Sequence, residues 1–301
     1  MLDFNKLLYN ISVDTGLQKN HIIEIIKKAP VSYKVFYIKK RSGGMREVAQ
    51  PSRDVKLIQR WLINNILIEN LPVDNATTAY KTGSSIKINA SNHKNSNYLM
   101  KLDFKNFFTS IKLSDISAHF DRFLSCSIDK KSIDMMSRLC SWEKSKGNRI
   151  LCIGAPTSPI ISNSILYDFD QNLSSICSQE NAIYTRYADD ITISCETYGI
   201  IDKYLGVITN LLMELEYPTI IINDKKTIFA SRSGRRNVTG ITLTPTHSIS
   251  IGRDRKRLIR AMYHRYISGS LDAAEEQKLN GLIAFAENIE AGFTARLKKK
   301  K

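Results

Sequence analysis

Three aspartates stand where carboxylates could bind a divalent cation. Asp189 and Asp190 are adjacent in IYTRYADDITISC, which is typical of two short strands around a tight turn at Ala188-Asp189. Asp103 ends the segment YLMKLD, which is typical of a strand. Adjacent carboxylates in an apolar hairpin repel each other and are costly to desolvate, and bound Mg²⁺ would remove that cost. Two such ions about 3.5–4 Å apart can activate a hydroxyl and stabilise a leaving pyrophosphate.

Each carboxylate also has a simpler interpretation. Asp is common in turns, so Asp189-Asp190 can be a solvated turn. Asp103 precedes FKNFF and can be the N-cap of a helix. Because one dipeptide is a weak signal, the choice depends on the rest of the chain.

The elements that must position these residues follow from hydrophobic periodicity. Helices are expected over 1–30, ending at Pro30, then over 52–70, 112–146 and 200–216, and in a basic tail over 254–300. Another helix is expected to open with Ser158 as N-cap and Pro159 at its first position, followed by apolar residues at every fourth position: Ile161, Ile165, Phe169 and Leu173. Strands are expected in a hairpin over 33–50 with a basic loop at Arg41-Ser42-Gly43-Gly44, and near 218–223, 226–230, 237–243 and 247–251, whereas 72–97 is polar and rich in turns. Helices and strands without regular βαβ alternation predict an α+β fold.

The charge of the chain indicates a polyanionic partner. The 301 residues contain 44 Lys+Arg against 29 Asp+Glu, a formal net charge of +15. From Lys225 to Arg260 there are ten basic residues and one acid, Asp254. This clustering favours a nucleic-acid surface over an evenly solvated basic protein. The sequence shows no amphipathic segment with Trp or Phe on its apolar face, so a membrane partner is not expected.

Cysteine usage and hydropathy give the expected compartment. The five cysteines show no CxxC spacing, which argues against disulfides and zinc and favours a reducing environment. No apolar run is long enough to span a bilayer, and no secretory signal is recognisable at the N-terminus. A cytoplasmic protein without a membrane partner is therefore expected.

Three short motifs resemble those of reverse transcriptases. Tyr187–Asp190 is similar to the YxDD box, and Asp103 with the following phenylalanines is similar to the D-F-x-x-F-F box. Gly154–Pro159, GAPTSP, is similar to the turn before the helix that supports the templating base. Three boxes in the family's order are more specific than any one alone.

The chain more specifically resembles the retron reverse transcriptases of bacteria. Asn89–His93 is similar to their NAxxH box, and Val238-Thr239-Gly240 is similar to their VTG box. Gln50–Arg53, followed by Leu57, Gln59 and Trp61, resembles the entry to their finger helix. The resemblance covers most of the chain, from about residue 33 to the C-terminus.

This resemblance implies a right hand with an antiparallel palm sheet and a helical thumb. The expected division is N-terminal helices and fingers over 1–97, palm over 98–240 with finger helices inserted at about 112–150, and a basic, RNA-binding thumb over 241–301. Asp103, Asp189 and Asp190 would be catalytic and would hold two Mg²⁺ ions, with Phe104 in the same metal site.

The resemblance also implies a set of nucleotide-binding residues. Phe108 would exclude a 2′-hydroxyl, Arg46 would clamp the triphosphate with help from Lys40, and Ala155 and one of Lys225 and Lys226 would lie near the nucleotide. Without the family, core packing suffices for Phe108, an exposed hairpin charge for Arg46, and strand capping for the lysines. Ile153 stands where the family usually has a glutamine that contacts the nucleotide, which puts nucleotide affinity and fidelity in question.

RNA binding is expected at three places. The resemblance assigns it to Asn89 and His93, and to Val238, Thr239 and Gly240. The density of cations near the C-terminus adds a basic helix face with Arg253, Arg255, Lys256, Arg257 and Arg260. The residues alone favour another interpretation for His93, a histidine satisfied by a neighbouring backbone group.

The function implied is that of a retron enzyme. Such an enzyme copies part of a dedicated structured noncoding RNA into DNA from deoxynucleoside triphosphates, and primes from a guanosine 2′-hydroxyl. The product is a branched RNA–DNA hybrid, and the family acts in defence against phage, often with an effector protein. The alternatives are another bacterial class, such as a group II intron or diversity-generating enzyme, and a non-catalytic RNA scaffold.

Overall fold

The computed structural model describes residues 1–40 and 43–299. Of the residues discussed above, Arg41 and Ser42 in the hairpin loop and the last two residues of the thumb range lie outside the described residues. The helices are α1 Phe4–Thr15, α2 Lys19–Lys28, α3 Arg53–Leu62, α4 Ile68–Asn70, α5 Ile86–Asn92, α6 Phe107–Ser110, α7 Leu113–Leu124, α8 Lys130–Leu139, α9 Ser158–Ser164, α10 Tyr167–Gln179, α11 Tyr204–Glu214, α12 Arg253–Ile267, α13 Ala273–Ile289 and α14 Phe293–Lys298. The strands are β1 Tyr33–Lys39, β2 Met45–Pro51, β3 Tyr98–Asp103, β4 Trp142–Ser145, β5 Asn148–Ile150, β6 Ile183–Tyr187, β7 Asp190–Cys195, β8 Ile228–Ser231, β9 Arg236–Val238, β10 Ile241–Leu243 and β11 Ile249–Ser250.

A four-stranded antiparallel sheet, in the order β6-β7-β3-β8, lies at the centre of the molecule. Met100 and Leu102 on β3 and Ile191 and Ile193 on β7 are fully buried in the main core. Alternating β-branched and apolar residues suit a pleated strand whose apolar side chains pack on helices. The segments at 98–103 and 183–195 therefore form the strands that their pattern predicts.

The basic hairpin, β1 paired with β2, projects from this core. Its register joins Ile38 to Arg46 and Phe36 to Val48. Most of β1 is exposed, whereas Val48 and Ala49 on β2 are buried. Ser52 then caps α3 by accepting a hydrogen bond from the Val55 backbone N–H. The predicted hairpin and the helix after it are confirmed.

The C-terminal unit has a core of its own. The strands β9, β10 and β11 form a second antiparallel sheet, and helices α12 to α14 pack with it. Thr239 and Gly240 join β9 to β10 with positive φ angles of 45° and 80°, as a two-residue hairpin turn requires. The expected domain boundary after residue 240 thus falls inside this hairpin. Ala90 on α5 and Leu99 on β3 belong to the same C-terminal core.

Several predicted elements differ from the structure. Residues 218–223 form no strand: Pro218 has no N–H to donate, and further along this segment Ile222 forms an isolated bridge with Phe104. The predicted strand over 237–243 is the hairpin β9–β10, and the polar segment 72–97 contains α5.

The helical predictions also need correction at their ends. The N-cap before α9 is Thr157 rather than Ser158, and no side chain caps that helix. The helix pattern that begins there is broken between α9 and α10, although its four apolar residues are all buried as expected. The helical range 112–146 ends in β4, and 1–30 is divided in two at Gly16, which has a positive φ of 73°. Among the described residues, no helix combines the length and apolar character needed to cross a membrane.

Candidate active site

The three aspartates meet at one end of the central sheet. Asp103 closes β3 and is paired directly with Asp190, which opens β7. Asp189 lies in the turn between β6 and β7, where Ala188 has a left-handed φ of 58°. The Phe104 N–H donates to the Asp189 carbonyl oxygen at 3.1 Å, which ties the end of β3 to the turn. The strand–turn–strand prediction is therefore correct, and Asp103 ends a strand rather than capping a helix.

The electrostatics of this group favour a cation. Burial and the neighbouring carboxylates of Asp190 and Asp103 raise the pKa of Asp189 to about 6. The pKa of Asp190 is also raised, by burial first. Lys226 places its Nζ 2.8 Å from Asp103 Oδ2 and offsets part of the negative charge. Lys226, and not the neighbouring Lys225, is thus the lysine at the site.

The donor set fits Mg²⁺ by its chemistry, since carboxylate oxygens are the ligands that this hard cation prefers. Mutual repulsion among three partly buried carboxylates is the cost that a divalent ion relieves. Within residues 1–40 and 43–299, however, no three His, Cys, Asp or Glu side chains converge as a metal-binding group. Phe104 has a buried aromatic side chain, so only its main chain can contribute to such a site.

A cavity of about 840 Å³ opens beside the aspartates. Its walls include these residues from the sequence predictions: Lys40, Arg46, Asp103, Phe104, Phe108, Asp189 and Lys226. Ala155 lines an adjoining cavity of about 160 Å³ together with Arg46, Phe108 and Asp189. Ile153 lines both cavities, so an apolar side chain stands where a glutamine is expected. Lys225 lines neither cavity, and its prediction as a nucleotide contact is not supported by its position.

The two adjacent phenylalanines after Asp103 have different environments. Phe107 is buried in the main core, whereas Phe108 is half-buried and faces the cavity. Their rings pack edge to face with centroids 5.5 Å apart. Phe107 is therefore the core residue of the two, and its ring holds Phe108 at the cavity wall.

Gly154 fixes the distance between the basic hairpin and the GAPTSP turn. Its φ is +119°, and a Cβ there would lie 2.7 Å from the Ala49 carbonyl oxygen and 2.9 Å from Val48 Cγ1. Only glycine allows this close approach. The Ala49 N–H donates to the Ile153 carbonyl at 2.8 Å, which continues the contact. Arg46, three residues before Ala49 on β2, is thereby brought to the cavity.

A buried ion pair supports the turn between β6 and β7 that carries Asp189. Arg186 and Asp170 are both fully buried, with Nη2 2.5 Å from Oδ2. Arg186 also donates to the carbonyls of Ala188 and Asn163, both at 3.0 Å. The turn that carries Asp189 is therefore anchored to α9 and α10. The sequence signal for this pair is a single charged residue, Arg186, within the strand IYTRY.

The predicted RNA-binding residues Asn89 and His93 are buried inside the protein. His93 contacts the hydroxyls of Ser194 and Thr185, each at 2.7 Å, and burial lowers its pKa to about 3. Asn89 accepts from the Thr185 hydroxyl at 2.7 Å. The prediction that these two residues bind RNA is therefore corrected, because their buried side chains are not available to it. They join α5 to the central sheet instead. The partners of His93 are side-chain hydroxyls rather than backbone groups.

The VTG box contacts the helix that carries the NAxxH box. Asn89 Nδ2 is 3.4 Å from Thr239 Oγ1, and Thr239 also donates to the Ile86 carbonyl. Val238 is fully buried, so its side chain cannot contact RNA, and this prediction is corrected too. The Gly240 carbonyl accepts from Arg255 Nη1 at 2.9 Å.

The basic helix α12 divides its cations between two roles. Lys256 is half-buried and paired with Glu290 at 2.7 Å, so its charge is used within the protein. Arg255 lies over the Phe285 ring as well as on Gly240. Three of the predicted RNA-binding residues remain exposed: Arg253, Arg257 and Arg260.

A further cavity that the sequence did not predict lies between α5 and the C-terminal unit. Its volume is about 450 Å³, and its lining includes Lys87, Ser91 and Lys94, His247 from the loop between β10 and β11, and Glu290. One face of α5 thus holds the fold, and Lys87 on its other face lines this cavity.

Comparison with known proteins shows the class. Residues 38–243 match the family described as reverse transcriptase (RNA-dependent DNA polymerase). The chain belongs to this family and is an RNA-directed DNA polymerase with the right-hand fold. The assignment of the central sheet to the palm, of the basic hairpin to the fingers and of the C-terminal unit to the thumb stays a prediction.

The curated relatives narrow the class to retron reverse transcriptases. The chain is 37% identical over 297 residues to the retron Ec83 reverse transcriptase of Escherichia coli, covering 97% of this chain and 95% of that protein. It is 34% identical over 304 residues to the retron Ec73 reverse transcriptase of Escherichia coli, covering 97% and 94%. The chain is a bacterial retron reverse transcriptase. A foamy viral protease-reverse transcriptase bound to RNA/DNA hybrid is 17% identical, with a TM-score of 0.49, covering 89% of this chain and 29% of that one.

Proposed function

We propose that this enzyme copies part of a dedicated structured noncoding RNA into single-stranded DNA, primed from a guanosine 2′-hydroxyl. The product would be a branched RNA–DNA hybrid. The observation that carries the proposal is the pairing of Asp103 with Asp190 at the sheet end, beside a cavity that also contains Arg46 and Lys226. These are the groups that nucleotidyl transfer needs, since its catalysis is mainly positioning and charge neutralisation.

Each side chain then has a task at the reacting atoms. Asp103, Asp189 and Asp190 would hold two Mg²⁺ ions, which supply activation of the attacking hydroxyl and stabilisation of pyrophosphate. Arg46, with Lys40, would bind the triphosphate of the incoming deoxynucleotide through its planar fork of donors. Phe108 would exclude a ribose 2′-hydroxyl by occupying its space. Lys226 would hold the Asp103 carboxylate in place through their ion pair.

The RNA would be held by exposed cations and not by the buried boxes. Arg253, Arg257 and Arg260 on α12 are exposed and available to phosphates, and the half-buried Lys87 and Lys94 line the cavity beside α5. Asn89 and His93 would act indirectly, because they hold α5 against both the palm and the VTG turn.

The cellular setting is proposed from the kinship with retron enzymes. A cytoplasmic location, a role in defence against phage and an effector protein as partner follow from that kinship alone. The defence role is tested by infecting cells that carry the gene with its native flanking DNA and, for comparison, cells that carry the catalytic variant described below. Equal survival of the two would contradict the defence role.

Two measurements test the activity. Nucleic acid extracted from the protein, expressed with its native flanking DNA, should contain a discrete DNA species that shortens with ribonuclease. The variant carrying Asp189→Asn and Asp190→Asn should yield no DNA while the same RNA still copurifies. RNA alone from the wild-type protein would favour the scaffold alternative, and unchanged DNA yield from the variant would refute the metal assignment.

A further inference from the structure

Tyr80 has a backbone conformation that its residue type disfavours. Its φ is 57°, in the left-handed region, where a bulky side chain is a genuine outlier. Strain of this kind persists when the surrounding structure over-determines it, and it is concentrated at functional sites. The ring is 54% exposed, so burial of apolar area is not what holds Tyr80 in place.

The segment before Tyr80 is fastened to the catalytic hairpin. Thr77 forms a parallel bridge with Arg186 on β6, and the Thr78 N–H donates to the Arg186 carbonyl at 2.8 Å. Asn163 on α9 donates to the Ala79 carbonyl at 2.8 Å, directly before the strained residue. Residues 76–79 thus run as a short extension of the palm sheet, and the chain leaves it at Tyr80.

The path of residues 76–79 places the Tyr80 side chain at the smaller cavity of the candidate active site. Tyr80 lines that cavity of about 160 Å³ together with Phe108, Gly154, Pro159 and Asp189. One side carries Asp189 and the proposed sugar gate, Phe108, and the other carries the GAPTSP turn. A base of the nascent pair that enters this cavity would lie beside the Tyr80 ring if Phe108 faces the sugar.

We infer that Tyr80 is a positioning residue that stacks on the templating RNA base opposite the incoming nucleotide. The inference rests on the proposed function and adds a template contact to it. Stacking on an aromatic ring is tolerant of base identity, because every base has a π-face. A template reader needs that property, since each of the four bases must be held in turn.

The experiment uses the full chain and an RNA template annealed to a DNA primer, with 2-aminopurine as the first unpaired template base. Wild-type protein should quench the 2-aminopurine fluorescence on binding, because a stacked fluorophore is quenched. Tyr80→Phe should retain the quench, and Tyr80→Ala should lose it. Single-nucleotide extension by Tyr80→Ala should fall roughly 5- to 150-fold in kcat/KM, the range for one aromatic–base stack.

Two further variants separate stacking from folding. Tyr9→Ala removes a tyrosine of nearly equal exposure, 55%, from α1, and should leave both the quench and the extension unchanged. Tyr80→Asn places a residue that tolerates positive φ, and should keep or raise the Tm while losing the quench. A structural tyrosine would instead lower the Tm when replaced.

The outcomes distinguish this inference from the proposed function. Quenching that is equal in wild type and Tyr80→Ala would overturn the role of Tyr80, whether or not the primer is extended. Quenching without any primer extension by wild-type protein would leave Tyr80 as a template contact and refute the polymerase assignment of the site.

Discussion

Replacing Asp170 with Asn would leave the Arg186 guanidinium buried without its counter-ion. Both groups are fully excluded from water, and Asp170 also accepts hydrogen bonds from the Tyr184 hydroxyl at 2.5 Å and the Thr77 hydroxyl at 3.1 Å. Removing one partner of a buried pair costs about 3–5 kcal/mol, since a charge remains in a medium that solvates it poorly. With domain stabilities of about 5–15 kcal/mol, Asp170→Asn should fold but unfold at much lower urea concentration.

The same helix offers a matched control. Asp168, two residues earlier on α10, pairs with Arg122, but the two side chains are 43% and 50% exposed. Such a pair contributes about 1 kcal/mol or less, because water screens the charges. Urea unfolding followed by tryptophan fluorescence should therefore separate Asp170→Asn from Asp168→Asn by at least about 2 kcal/mol. Equal losses would refute the reasoning that burial makes this pair critical.

A second substitution at the same site tests the turn rather than the fold. Arg186→Lys keeps a cation beside Asp170, but an ammonium lacks the planar fork that reaches Asp170, Asn163 and Ala188 together. Primer extension per folded molecule should fall and should need more Mg²⁺, because the Ala188 carbonyl loses its donor beside Asp189. Wild-type activity in the folded Arg186→Lys protein would show that the turn does not depend on this bond.

Three other perturbations have defined outcomes. Phe108→Ala should admit ribonucleotides in single-nucleotide incorporation, whereas Phe107→Ala should lower stability without changing sugar selection; continued strict exclusion by Phe108→Ala would remove Phe108 as the gate. Gly154→Ala should raise the KM for deoxynucleotide, because the new Cβ would push against Ala49 and displace β2 with Arg46. An unchanged KM would refute this link between Gly154 and Arg46. Because burial lowers the pKa of His93 to about 3, against about 6.5 when unfolded, the unfolded chain takes up the proton first as pH falls. The fold should lose about 2 kcal/mol from this group between pH 8 and pH 5, and His93→Gln should flatten that loss in urea unfolding; the same pH dependence in both proteins would exclude His93 as its source.

Local patterns predicted the parts of this site that depend on local sequence. Strand alternation, the tight turn and the order of the boxes were sufficient for Asp103, Asp189 and Asp190. The hairpin carrying Arg46 was predictable for the same reason, since its register follows from alternation. These features need only the residues within a few positions of one another.

The remaining features depend on tertiary contacts. Nothing in the residue type of His93 or Asn89 indicates that Ser194 and Thr185, about a hundred positions away, satisfy them. The left-handed conformation of Tyr80 could not be predicted from its residue type, because apart from Gly only Asn, Asp and His are enriched at positive φ. The choice between Lys225 and Lys226 was likewise decided only by which one reaches Asp103.

The shared core of α5, β3 and the C-terminal unit determines which part of the enzyme can move. Leu99 packs in the core of the C-terminal unit and lies four residues before Asp103 on the same strand, so this unit is fastened to the strand that ends at the aspartates. The basic hairpin is the opposite case, since β1 is exposed along nearly its whole length and is fastened mainly through β2. We therefore expect the basic hairpin, rather than the C-terminal unit, to shift when a nucleotide enters or leaves the cavity.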